Sequence, residues 1–226
     1  MLSILYAFVI TLIAYLLAKP CNKKIPQIPV LVFSMFFVLI LLFTFGISYE
    51  NYMQQTNPLF NRLLGYVTVA LAIPLATMRF DDLPIKAMIS ILVFASISAV
   101  ALPMSLAYLL HMASPDILAF ATRAVTTPIA INIATLLGSQ ISLVILIVIL
   151  SGVIGAAFSS LILRRINDER ASGLALGLAA HAIGTAQAWQ RGSIAGRYAA
   201  FGMAVNAVFT AIWLPTFILY LKSISS

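Results

Sequence analysis

Residues 141–163 read ISLVILIVILSGVIGAAFSSLIL, carry no charged side chain, and run straight into Arg164-Arg165. A helix needs about 20 consecutive apolar residues to cross the hydrocarbon of a bilayer, and this stretch supplies them. The rest of the chain is built the same way. Of its 226 residues, 62% are hydrophobic and only 8% charged, and the mean hydropathy is +1.08. A charged fraction that low cannot cover a water-soluble domain, so the chain is expected to be an all-α integral membrane protein.

Working outward, eight apolar segments alternate with short polar connections: 2–18, 28–48, 63–78, 85–110, 117–137, 141–163, 172–189 and 199–221. The connections carry Pro, Asn, Asp or Lys, as in Lys19-Pro20-Cys21-Asn22-Lys23-Lys24 and Asp81-Asp82-Leu83-Pro84. The expectation is one membrane domain over 1–226, with seven or eight transmembrane or re-entrant segments. The first segment imitates a secretory signal, but its positive charges follow the apolar run instead of preceding it. That order predicts a retained helix ending in the cytoplasm. Pro20 before Cys21 makes a poor lipoprotein cleavage site.

Several function classes fall away. The formal charge of +7 comes from basic residues scattered between apolar runs, a pattern of cytoplasmic loops and anionic-lipid contact; no nucleic-acid partner is expected. The single Cys21 excludes an intrachain disulfide and multi-cysteine metal sites. With two histidines and six acids in the chain, no metal site or cofactor is expected. No acid lies in an apolar segment to orient a His–Ser pair, and no phosphate-binding glycine loop is present; no catalytic residues are assigned.

Segments differ in kind. Residues 28–43 and 141–163 are rich in Leu, Ile, Val and Phe, as lipid-facing helices are. Segments three, five and seven are shorter and hold Gly, Thr, Asn, Pro and His, which need protein or water as a partner. Gly173 and Gly177, and Gly152 and Ala156, stand four apart, a spacing that lets helix backbones approach. Leu64-Gly65 followed by Leu102-Pro103 recurs at equal separation as Leu176-Gly177 followed by Leu214-Pro215. This suggests repeat halves 1–112 and 113–226, with Ile73-Pro74 aligned on the polar interruption of segment seven.

Charge placement constrains the threading. Lys19, Lys23, Lys24, Arg79 and Lys86 mark cytoplasmic connections, and residues 49–61, with Glu50, read as an outside loop. Simple counting of spans then puts Arg164, Arg165 and Arg170 outside, against the positive-inside rule. The conflict disappears if segment five enters and leaves by one face, which would make the repeat inverted. Arg191 and Arg197 then fall outside, which counts against that threading.

Two stretches concentrate polar atoms. In Val125-Thr126-Thr127-Pro128-Ile129-Ala130, proline removes a backbone donor and frees carbonyls, and two hydroxyls stand beside it. This is either a simple proline kink or a broken helix that exposes backbone dipoles to a ligand. Arg123 either snorkels to the interface or offers a guanidinium fork to a carboxylate. In His181-Ala182-Ile183-Gly184-Thr185-Ala186-Gln187, Gly184 is expected to loosen the helix. His181 and Thr185 share one face, and Gln187 adds a polar amide. His181 is either a histidine satisfied by a neighbouring helix or part of a binding site or proton relay. Asn206, deep in segment eight, is a polar partner for that site or an interhelical hydrogen bond.

Taken in order, VTTPIA (125–130), Ser151-Gly152-Val153-Ile154-Gly155-Ala156 and His181-Ala182-Ile183-Gly184-Thr185-Ala186, with 63–75 before them, resemble the LrgB/CidB family. That family includes YohK-type bacterial proteins and the LrgB-like half of the plastid glycolate/glycerate transporter. The chain departs from the usual pattern at Ala180, where serine is frequent, at Ala182, where glycine is, and at Gln187, where arginine is. Arg123 keeps the basic residue that commonly precedes VTTPIA. The resemblance implies a multi-pass protein of the bacterial inner membrane. It carries two functional descriptions: a carrier of small monocarboxylates such as pyruvate or glycolate, or a holin- or antiholin-like modulator of murein hydrolases and autolysis acting with a small LrgA/CidA-type membrane partner. The expectation adopted is alternating-access transport. Arg123, Thr126, Thr127 and Pro128 would hold the anion, and His181, Gly184, Thr185, Gln187 and Asn206 would complete the site. A homodimer is the default assembly.

Overall fold

A computed structural model describes residues 2–25, 28–70, 73 and 85–225. Among these the chain is all-helical, with nine helices and no strand. Four helices are long and apolar enough to cross a membrane: Leu5–Lys24, Lys86–Leu109, Ile141–Ile162 and Ser193–Leu221. The protein is an all-α membrane protein. Its contacts divide it into two compact units, 1–70 and 71–226.

The first unit contains α1 (Leu2–Lys24), α2 (Val30–Thr44) and α3 (Tyr49–Ala70). Ala7, Ile10, Leu42 and Tyr52 form its core, and the Thr11 and Tyr52 hydroxyls meet at 2.7 Å. Two sequence expectations are corrected here. Residues 19–24 are the last turns of α1, not a connection. Residues 49–61 are the start of α3, not an outside loop. Both stretches look polar enough to leave a helix. Tyr52, Met53, Thr56 and Phe60, however, recur at three- and four-residue steps, the helical period. Phe60 packs on Phe8 of α1, with ring centroids 6.3 Å apart. Residues 71, 72 and 74–84 lie outside the described residues, and with them Pro74, Arg79 and the Asp81-Asp82-Leu83-Pro84 turn.

The second unit contains α4 (Ile85–Leu109), α5 (Ser114–Phe120), α6 (Thr127–Leu137), α7 (Ile141–Ile162), α8 (Glu169–Arg191) and α9 (Ser193–Ser225). Helices α4, α7 and α9 supply its three long spans. Between them in sequence lie two helical hairpins.

The first hairpin is α5 and α6, separated by non-helical backbone at 121–126. Pro128 sits in the first turn of α6, where a missing N–H costs nothing. It starts a helix instead of kinking one, so the break precedes it. Gly138, at φ 75°, ends α6 in the left-handed conformation that glycine tolerates. The Ser139 hydroxyl then donates to the Pro115 carbonyl at 2.8 Å. Entry and exit of segment five are therefore side by side, as a re-entrant element requires.

The second hairpin hides inside what looks like one helix. His181 in α8 has φ 41° and ψ −127°, far from helical values. A straight helix would separate Leu176 and Gly184 by about 12 Å. Instead, a Cβ built on Gly184 would collide with the Leu176 carbonyl and the Ala180 methyl. At the open end, a Cβ on Gly192 would lie 3.0 Å from the Glu169 carboxylate. The halves 169–180 and 182–191 thus run antiparallel, and the reversal is at His181, not at Gly184 as expected. Helix α9 then turns back along the first half. Gly173 packs on the Ala195 carbonyl and Gly177 on the Ala199 carbonyl, which is parallel packing through the predicted glycine pair. Asp168 caps α8 by accepting the Arg170 N–H at 2.9 Å. Its carboxyl is held below the usual carboxylate range by that bond and by the Arg170 side chain.

Helix α7 is about 33 Å long. The first hairpin opens just before it and the second just after it, so their mouths lie at opposite ends. This geometry removes the remaining charge conflict. With segment seven folded back, Arg191 and Arg197 return to the end that carries Arg164, Arg165 and Arg170. The loops of the opposite end, 111–116 and 138–140, have no Lys or Arg, and Lys222, near the end of α9, falls at that end as well.

Single cysteines at Gln140, Asn167 and Gln190 in a Cys21→Ser background report this threading. A membrane-impermeant maleimide should label Asn167→Cys and Gln190→Cys from one side and Gln140→Cys from the other. Labelling of 167 and 190 from opposite sides would mean that α8 crosses. Gly177→Leu should lower the yield of folded protein in a detergent thermal-stability assay, because overpacking costs about 1–3 kcal/mol or more where the obstacle is backbone.

Candidate functional site

The two hairpin tips approach each other at α7. Val148, fully buried, packs in one cluster with Val125 of the first tip. Its carbonyl accepts a hydrogen bond from His181 Nε2, at the second tip, at 3.0 Å. A carbonyl only accepts, so Nε2 carries the proton in this arrangement. Gly152, one turn further along α7, makes the approach possible. A Cβ there would sit 2.7 Å from His181 Cε1, and one on Gly155 would sit 2.8 Å from the Ala180 methyl. The small residues of 151–156 are the surface onto which the second tip docks.

His181 carries a backbone conformation that side chains rarely adopt. Such a conformation costs of order 1–3 kcal/mol and persists only when the surroundings over-determine it. Here the bond to α7 and the contact with Gly152 do so. Thr185 adds a bond from its hydroxyl to the His181 carbonyl at 2.8 Å, and its hydroxyl also contacts Met203 Sδ at 3.7 Å.

The first tip is held from the other side. Asn206 of α9, 2% exposed, donates Nδ2–H to the Ala124 carbonyl at 2.9 Å. Thr126 is the residue before α6, and its side chain makes no capping bond. Among the described residues its buried hydroxyl has no hydrogen-bond partner, and neither has that of Ser151 on α7.

Arg123 lies between the tips. It lines a cavity of about 390 Å³ with Ile91, Ala95 and Leu102 of α4 and Ala171, Leu174 and Ala179 of α8. It also lines a second cavity of about 400 Å³ with Phe120, Ile147, Ser151, Gly155 and Ala179. Arg123 and Ala179 are walls of both. Among the described residues Arg123 has no ion-pair partner, and no acid of the chain falls between 117 and 167 or after 169. Helix α6 begins at Thr127 and the returning half of α8 begins at Ala182, while α5 ends at Phe120 and the first half of α8 at Ala180, so each tip brings together one helix N-terminus and one C-terminus. The N-termini carry partial positive charge from their unpaired amides, and the C-termini partial negative charge. The Arg123 guanidinium and the free amides of the two N-termini are donors of the kind that bind small anions.

The predicted residues divide accordingly. Arg123 and Thr126 lie at the meeting point, and Thr127 and Pro128, half-buried, form the first turn of α6. His181 and Asn206 clamp the two tips through their polar side chains. Gly184 is buried inside the second hairpin, and Thr185 bonds within it. Gln187 is about 9 Å down the returning half from His181. Sequence reasoning did not single out Val148, Ala179, Ser96 or Thr210. The two hydroxyls deep in apolar segments were the available signal for the last pair, and Val148 offers none, because it acts through its backbone.

The model of the LrgB-like family matches residues 11–220. Holin-like protein CidB of Staphylococcus aureus (strain Mu50) is 32% identical over 224 residues, covering 95% of this chain and 96% of that protein. YwbG of Bacillus subtilis is 29% identical, covering 91% and 93%. CidB of Staphylococcus epidermidis (strain RP62A) is 28% identical, covering 93% of each. No solved structure matches the chain. With a family match over most of its length and full-length relatives, the chain belongs to the LrgB-like family.

Proposed function

We propose that this protein moves small monocarboxylate anions of the pyruvate or glycolate type across the bacterial inner membrane by alternating access. The observation that carries the reading is Arg123, a guanidinium that among the described residues has no carboxylate partner and stands on the hairpin tip from which α6 starts. A group of that kind inside a membrane is costly unless something compensates its charge, and a small carboxylate does so with bidentate geometry. Thr126 offers a hydroxyl to the same anion. The cavities on either side of Arg123 are lined mainly by Ala, Leu and Ile, which suits one charge on a small body and leaves a second charge unpaired. Two hairpins entering from opposite ends give each side of the membrane its own movable element. The arginine-rich end, with Arg164, Arg165, Arg170, Arg191 and Arg197, is the cytoplasmic one by the positive-inside rule.

The names of the relatives favour a second reading. Several are called holin-like, which points to a role in lysis, exerted with a small LrgA/CidA-type membrane partner. A holin-like pore needs a hole and no defined anion site.

Uptake of radiolabelled pyruvate and glycolate into proteoliposomes separates the two. The carrier reading expects saturable uptake that falls at least tenfold in Arg123→Ala and several-fold in Thr126→Val, with both variants still monodisperse in detergent. Unselective leakage of small solutes, indifferent to Arg123→Ala, would establish the pore.

A further inference from the structure

A chain of hydrogen bonds, buried beyond its half-buried first donor, runs from Trp213 of α9 through Ser96 of α4 to the first hairpin tip. Trp213 Nε1 donates to Ser96 Oγ of α4 at 3.1 Å. Ser96 Oγ and Thr210 Oγ1 are 2.9 Å apart. Thr210 Oγ1 donates to Asn206 Oδ1 at 3.4 Å, and Asn206 Nδ2 donates to the Ala124 carbonyl at 2.9 Å. Ser96, Thr210 and Asn206 are 1%, 3% and 2% exposed.

The direction of every bond is fixed by the two ends. An indole N–H only donates and a carbonyl only accepts. Thr210 gives its proton to Asn206, so it must accept from Ser96. Ser96 in turn accepts from Trp213. The donors therefore point one way, from Trp213 through Ser96, Thr210 and Asn206 to Ala124. Bonds in such a head-to-tail chain polarise one another in a low-dielectric interior.

The last acceptor is what gives the chain a role beyond packing. Ala124 is bonded directly to Arg123, in the non-helical stretch where carbonyls lose their helical donors. An uncapped carbonyl there would present negative charge beside an anion site. With its lone pair engaged by Asn206, the carbonyl is turned into α9 and Arg123 is held at the cavity walls.

We infer that Ser96, Thr210 and Asn206 form a one-way hydrogen-bond relay that positions the Arg123 tip for anion binding and ties Trp213 to its occupancy. They are positioning residues, and Asn206 in particular is not a ligand of the anion. The inference rests on the anion-carrier reading above.

The test uses the full chain with Trp189→Phe, which leaves Trp213 as the only tryptophan. Pyruvate is the probe, with proteoliposome uptake and Trp213 emission as readouts. Asn206→Leu should raise KM for pyruvate about tenfold while the maximal rate changes less than threefold. Thr210→Val should raise KM several-fold, and Thr210→Ser, which keeps the hydroxyl, should restore it. Pyruvate should shift Trp213 emission in the parent and in Thr210→Ser, but not in Thr210→Val. Should Asn206→Leu fail to fold, the Thr210 pair alone carries the comparison. Unchanged KM in Thr210→Val together with an emission shift that survives it would overturn the relay and leave the carrier intact. Absence of saturable uptake and of any emission change in the parent would overturn the carrier reading, and the relay with it.

Discussion

A backbone that stops being helical inside a membrane frees N–H and C=O groups that lipid cannot satisfy. The rest of the second unit is organised around that constraint. It has two such places, 121–126 and His181, and each is met by a polar group. Asn206 of α9 reaches the Ala124 carbonyl. The Thr185 hydroxyl reaches the His181 carbonyl, and α7 holds the imidazole through its Val148 carbonyl. The glycines follow from the same demand. Gly152 admits the imidazole, and Gly173 and Gly177 bring α8 and α9 close enough for the hairpin to pack.

Because both breaks are pinned at α7 and α9, the hairpins end near each other instead of in lipid. Their helix N-termini then bring free amide donors to the region where Arg123 already lies. The spans supply no acid there. In the proposed carrier a small anion with one charge occupies this place, and Arg123 and Ala179 are walls of both neighbouring cavities.

Much of this was readable from residue types. The membrane class follows from 62% hydrophobic against 8% charged residues. The arginines at 164, 165 and 170 exposed a threading error that a re-entrant fifth segment resolves. The polar interruptions located both breaks to within a few residues. What the sequence concealed has physical causes. Residues 49–61 look like a loop because their polar side chains outnumber the helical stripe of Tyr52, Met53, Thr56 and Phe60. Pro128 draws attention as a breaker, yet proline in a first turn is a start signal. Gly184 looks like the hinge of segment seven because glycine is permissive. The reversal falls on His181 instead, because the imidazole bond to Val148 fixes an otherwise costly conformation. Backbone acceptors such as the Val148 and Ala124 carbonyls leave no mark in a sequence at all.

The central claim is that two breaks entering from opposite ends meet beside Arg123. Its most direct test is intramolecular cross-linking of Phe120→Cys and Ala179→Cys in the Cys21→Ser chain, since both positions line one cavity. A short bifunctional thiol reagent should join them within a single chain, and saturating pyruvate should slow the reaction. Efficient single labelling of each cysteine with no cross-link between them would contradict the account.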